Sequence, residues 1–93
     1  MTTEHLLGEV ETRRKVILWR ATHRGTKEMD LVLGGFVRDT IDSMRLSELN
    51  ELEALIALPD PLLMAWLLGE EPVGDDHRNA TTERFLAYRV RLL

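Results

Sequence analysis

The chain has 93 residues, a formal net charge of −4, 44% apolar and 30% charged residues, and no cysteine. That is enough for one domain with a single core, it excludes disulfides, thiolate metal sites and cysteine nucleophiles, and so mild a charge says little about partners. No stretch approaches the length of a membrane span, and Glu4, Glu9 and Glu11 interrupt the first dozen residues, unlike a secretory signal or an acid-poor transit peptide.

Residues 1–8 are expected to be a flexible arm, with Leu6 and Leu7 tucking back onto a folded domain that spans 9–93. The first helix is expected from Glu9 or Thr12 to His23. Its apolar residues Val16, Ile17, Leu18, Trp19 and Ala21 are spread around the axis, which implies contact on more than one side or with a partner surface. Trp19 is expected in the core. Between Arg13 and Lys27 there are six Lys or Arg residues and no acidic one. Arg13, Arg20, Arg24 and Lys27 would share a face of one continuous helix. They form either a solvated basic face or a docking stripe for an acidic surface or a phosphate.

The junction Arg24-Gly25-Thr26-Lys27-Glu28-Met29-Asp30 follows. Gly25 is placed to end the first helix in a left-handed conformation, and His23 and Arg24 put cations near the negative end of its dipole. Thr26 is a candidate cap for the next helix, with Glu28 and Asp30 in the first turn. These features suffice for a well-made helix–turn–helix corner, and the residues alone leave open whether the corner does anything more.

The second helix is expected from Thr26 or Lys27 to between Asp39 and Met44, because Met29, Val32, Leu33, Phe36, Val37, Thr40, Ile41 and Met44 follow the rhythm of an amphipathic helix. Gly34 and Gly35 in its middle either admit a close neighbour or mark a bend. A third helix is expected from Glu48 to about Leu58, capped by Ser47, with Leu49, Leu52, Leu55 and Ile56 inward and Glu48, Glu51 and Glu53 outward. Asp60-Pro61 signals a fourth, Pro61 to Leu68, capped by Asp60, with Leu63, Trp66 and Leu67 in the core. Residues 70–80 read as an exposed loop. Thr81 or Thr82 caps a last helix through Phe85, Leu86, Tyr88, Val90 and Leu92. The expected fold is all-α: one compact bundle of five short helices.

Chemistry is sparse. His5, His23 and His77 are far apart, and no motif holds a metal, a phosphate or a dinucleotide. Glu28 and Asp30 form the one conceivable acid/base pair, but carboxylates at a helix start without burial are unremarkable as catalysts. The same two carboxylates oppose a nucleic-acid reading, since they would face phosphates. Neither an enzyme nor a DNA-binding protein is expected.

Arg24-Gly25-Thr26-Lys27-Glu28-Met29-Asp30, with Leu31, Leu33, Gly34 and Phe36 after it, resembles the Arg-Gly-x-x-Glu-x-Asp signature of the succinate dehydrogenase FAD assembly factor family. Asp60-Pro61 with Trp66-Leu67 is similar to that family's second recurrent segment. Gly35 departs from it, standing where a larger or basic residue is common. The resemblance implies a five-helix, all-α domain, and the free chain is expected to be a monomer. The resemblance also implies a role as an assembly factor that binds the flavoprotein subunit of succinate dehydrogenase, or of fumarate reductase, and promotes covalent attachment of FAD to a histidine there. FAD would belong to the partner, and this chain would hold no cofactor stably. By position Arg24, Gly25, Glu28 and Asp30 become partner contacts, joined by Arg20, His23 and Lys27 on the basic face. Arg24 and Glu28 would supply charge-assisted hydrogen bonds across the interface. The implied compartment is the bacterial cytoplasm, or the mitochondrial matrix in a eukaryote. A helical interaction module or regulator with an unrelated client is the alternative.

Overall fold

Helical periodicity dominates the chain. The computed structural model describes the backbone of residues 3–92 and the side chains of residues 8–88, and it contains no strand among the described residues. The elements are α1 (Thr3–Thr22), α2 (Lys27–Thr40), α3 (Leu46–Ile56), α4 (Asp60–Leu67) and α5 (Ala80–Leu92), with single 3-10 turns at Ile41–Ser43 and Asp75–His77. The expected all-α bundle of five helices is therefore what forms. Within it α1 packs on α2 and α3, and α5 closes the other side against α2, α3 and α4.

The ends of several helices differ from expectation, each for a local reason. Helix α1 starts at Thr3 rather than at Glu9 or Thr12, so residues 3–8 of the stretch expected as an arm are helical. No proline interrupts it, and extending a helix is far easier than nucleating one. Met1, Thr2 and the side chains of Leu6 and Leu7 lie outside the described residues. Helix α3 begins before Ser47, which stands inside it, because the Glu48 carboxylate accepts the Arg45 N–H at 3.0 Å and closes the first turn. Helix α5 is capped by Asn79, whose Oδ1 accepts the Thr82 N–H at 2.8 Å, while Thr81 and Thr82 are buried instead of capping. Helix α4 starts at Asp60 itself, and that carboxylate is not a cap.

The core draws on every helix: Ile17 and Ala21 from α1, Met29, Leu33, Phe36 and Val37 from α2, Leu49, Leu52, Leu55 and Ile56 from α3, Leu63, Trp66 and Leu67 from α4, and Phe85 from α5. The Phe36 ring meets Phe85 edge-on at 5.6 Å and Tyr88 at 5.7 Å between centroids. Glu48, Glu51 and Glu53, expected outward, are half-buried and spent on neighbours. Glu53 takes Arg13 of α1 at 3.0 Å, Glu51 accepts the Thr81 hydroxyl at 2.8 Å, and Glu48 lies 3.2 Å from Arg84.

The pair of glycines in α2 serves close approach. A Cβ at Gly34 would lie 3.0 Å from Thr22 Cγ2 and 3.3 Å from the Ala21 carbonyl oxygen, and one at Gly35 would lie 3.0 Å from the Tyr88 hydroxyl. That hydroxyl donates to Asp39 at 2.8 Å, so Tyr88 occupies the space a larger residue at 35 would need. Gly34→Val is expected to wedge α2 from α1 and cost about 1 to 3 kcal/mol by overpacking. Thermal melting followed by circular dichroism checks this: unchanged melting would mean that α1 and α2 part freely.

Candidate functional site

The corner between α1 and α2 is made by residues 23–26. Helix α1 stops at Thr22, whose hydroxyl turns back to donate to the Leu18 carbonyl at 2.9 Å. His23 and Arg24 thus lie just past the last turn rather than in it. Gly25 has φ +100°, a backbone that an L side chain rarely adopts. Thr26 is extended, at φ −121° and ψ 142°, and its hydroxyl accepts the Met29 N–H at 3.3 Å, which caps α2 as expected.

Two carboxylates then lock the corner from within. Asp30 Oδ1 accepts the Arg24 backbone N–H at 2.6 Å, so a side chain in the first turn of α2 reaches back over the glycine. The Arg24 side chain leaves the corner altogether. Its Nε and one terminal nitrogen both lie 2.8 Å from Asp60 Oδ1 at the start of α4. The same terminal nitrogen donates to the Leu58 carbonyl at 2.7 Å, and the other donates to the Ile56 carbonyl. Those carbonyls are orphans at the end of α3, where a cation is favoured. A planar guanidinium can serve a carboxylate and two diverging carbonyls at once, whereas an ammonium cannot hold the same fork. The two segments singled out in the sequence, 24–30 and 60–67, are therefore one unit joined through Arg24 and Asp60.

This geometry divides the expected contact residues. Arg24 and Asp30 face inward, with the Arg24 side chain only 11% exposed, and the Arg24 guanidinium donates to Asp60, Ile56 and Leu58 of its own chain. Gly25, Lys27 and Glu28 are exposed on the rim of the corner, and Arg20 and His23 are exposed beside them. The continuous basic stripe does not exist: Arg13 turns to Glu53 and Asn50 of α3, and Arg24 turns to Asp60. Arg14 likewise is held by Glu11 and by the Met44 carbonyl. Arg20 and Lys27 are exposed, and among the described residues neither makes an ion pair.

Trp19, expected in the core, is 62% exposed, and Val16 is 51% exposed beside it. The reason is phase: Ile17 and Ala21 take the buried side of α1, and Val16, Trp19, Arg20 and His23, spaced three, four and seven from the first, take the other. The signal was present as apolar residues on all sides of the helix. Leu31 on α2 is also exposed, at 65%. Among the described residues no three His, Asp or Glu side chains converge as a metal ion requires, and no helix is long and apolar enough to cross a membrane.

Comparison with known proteins adds three kinds of finding. The family described as the flavinator of succinate dehydrogenase matches residues 15–89. A FAD assembly factor SdhE of Acetobacter pasteurianus is 38% identical over 74 residues, covering 80% of this chain and 68% of that protein. One from Vibrio cholerae is 40% identical over 74 residues, covering 80% of this chain and 85% of its own length. The mitochondrial succinate dehydrogenase assembly factor 2 of Dictyostelium discoideum is 33% identical over 70 residues, 75% of this chain but half of that longer protein. No solved structure is a significant match to the chain.

Proposed function

This chain belongs to the family of succinate dehydrogenase flavinators, and from that premise we propose that it binds the flavoprotein subunit of succinate dehydrogenase, or of fumarate reductase, and promotes covalent attachment of FAD to a histidine of that subunit. The observation that carries the proposal is the corner itself. Asp30, Arg24 and Asp60 brace it from behind, so that Gly25, Lys27 and Glu28 form a rigid exposed rim. A surface ordered in advance loses little entropy on docking.

The chemistry of flavinylation lies between the flavin and its acceptor imidazole. It proceeds once the two are held close, so a partner that stabilises the reactive arrangement of the flavoprotein accelerates it through orientation. In this reading Gly25 lets the partner backbone approach closely, Glu28 accepts charge-assisted hydrogen bonds, and Arg20 and Lys27 steer the encounter. The chain acts as a monomer, holds no cofactor of its own and supplies no catalytic group. Its relatives are bacterial and mitochondrial, which fits action in the bacterial cytoplasm or the mitochondrial matrix.

The direct test measures covalent FAD on the flavoprotein, by in-gel fluorescence, in cells with and without this chain. Equal loading would end the proposal. Glu28→Ala is expected to lower that fluorescence while costing under about 1 kcal/mol of stability, the scale of a charge at a helix start. A large stability loss with normal loading would make Glu28 a helix-start charge and nothing more.

A further inference from the structure

We propose that the outward face of α1, centred on Trp19 and continuous with the corner, is the apolar anchor of the docking surface, and that it seats on a carboxylate-rimmed apolar patch of the flavoprotein. This rests on the reading just given and names the chemistry of the partner surface. A single exposed apolar side chain would be unremarkable. Here Val16 and Trp19 stand one turn apart, 51% and 62% exposed, on the face opposite Ile17 and Ala21, which are 0% exposed. Neither contributes to the core, so folding alone does not account for them.

The Trp19 ring is held ready. His23 stacks on it with centroids 4.3 Å apart and planes 13° from parallel. The His23 Nδ1 lies 2.7 Å from the Trp19 carbonyl oxygen, and since a carbonyl only accepts, Nδ1 carries the hydrogen. That bond fixes the imidazole and leaves Nε2 turned away from the backbone. The result is a rigid two-ring plate, the kind of ordered aromatic surface that dominates binding at interfaces.

The charges around the plate specify what covers it. Lys15, Arg20 and Lys27 are exposed, and among the described residues none of them makes an ion pair. Arg13, Arg14 and Arg24 on the same stretch all find carboxylates within the chain. In a protein of net charge −4, three exposed cations without an internal carboxylate, on the stretch that carries an exposed tryptophan, call for carboxylates from outside. A nucleic acid or a phosphate would meet the Glu28 carboxylate at the corner, whereas a folded protein surface can place a donor there and its acids elsewhere.

The experiment uses the purified full-length chain and the isolated flavoprotein subunit, with affinity measured by titration calorimetry. Trp19→Ala is expected to weaken binding at least about tenfold, as loss of an aromatic anchor does, with melting unchanged because the ring is outside the core. Arg20→Glu is expected to weaken binding and to flatten its salt dependence. Tryptophan emission should shift to the blue when the flavoprotein is added, since Trp66 is already buried and Trp19 is the ring that becomes covered. If Glu28→Ala weakens binding while Trp19→Ala and Val16→Ser leave it intact, the corner is the contact and the α1 face is not. If Trp19→Ala instead converts a self-associated free chain to monomer, the occupant is a second copy and the proposal fails. If the unaltered chain does not bind the flavoprotein at all, the proposed function fails with it.

Discussion

Replacing Arg24 by alanine is expected to lower stability by about 3 kcal/mol, on the order of 15 °C in melting temperature for a domain of this size. The guanidinium and the Asp60 carboxylate are 11% and 18% exposed, so removing one leaves the other nearly dry and unpaired, which is the costly way to break such a contact. The loss extends beyond the ion pair. The carbonyls of Ile56 and Leu58 lose their donors as well, and an unsatisfied buried acceptor costs about 1 to 3 kcal/mol. Water reaching the rim of the site recovers part of this. Arg24→Lys should fall between the two, because the ammonium keeps the charge and loses the fork. The double variant Arg24→Ala with Asp60→Ala should be less unstable than the sum of the singles, as expected of two groups in direct contact. Chemical denaturation of the four proteins measures all of this. Were Arg24→Ala as stable as the parent but unable to bind the flavoprotein, the guanidinium would be the contact itself and not the brace behind it.

The second large effect is expected in binding and not in folding. Gly25→Arg should leave the helical content intact and abolish co-purification with the flavoprotein. At φ +100° any L residue is strained, by about 1 to 2 kcal/mol, which a domain stable by several kcal/mol survives. Space is not the obstacle, since a Cβ at Gly25 meets nothing within 4 Å. That open space is what a close-fitting partner would fill, and a long cationic side chain would occupy it instead. Gly25→Ala separates the two effects: it carries the same backbone strain with almost no bulk and should retain part of the binding. If Gly25→Arg binds as the parent does, the corner is not where the partner sits.

The two variants test different sides of one turn, and the difference between those sides is what the chain order hides. Gly25, Thr26 and the apolar rhythm of α2 act within a few residues, so a glycine at a helix end and a threonine before a helix start were legible as a stop and a cap. The three inward leucines and the isoleucine of α3, and Leu63, Trp66 and Leu67 of α4, were legible for the same reason: helical spacing alone puts them on one face. The helix starts were less so. Ser47 lost to the Arg45–Glu48 closure, and Thr81 and Thr82 lost to Asn79, because neighbouring polar residues compete for the same free N–H groups and burial decides between them.

Read unaided, the residues established an all-α bundle of five helices, a capped corner at Gly25, and a motif that placed the chain in its family, all of them properties of short range. Only the packed structure revealed that Arg24 and Asp30 point inward, that Asp60 is the partner of Arg24 36 residues away and not a cap, and that Trp19 is left outside. Each of those depends on which face of a helix meets which neighbour. A carboxylate can satisfy a backbone N–H or a distant arginine equally well, and a tryptophan can fill a core or stand clear of it, until the other helices arrive and one of the two sides becomes the inside.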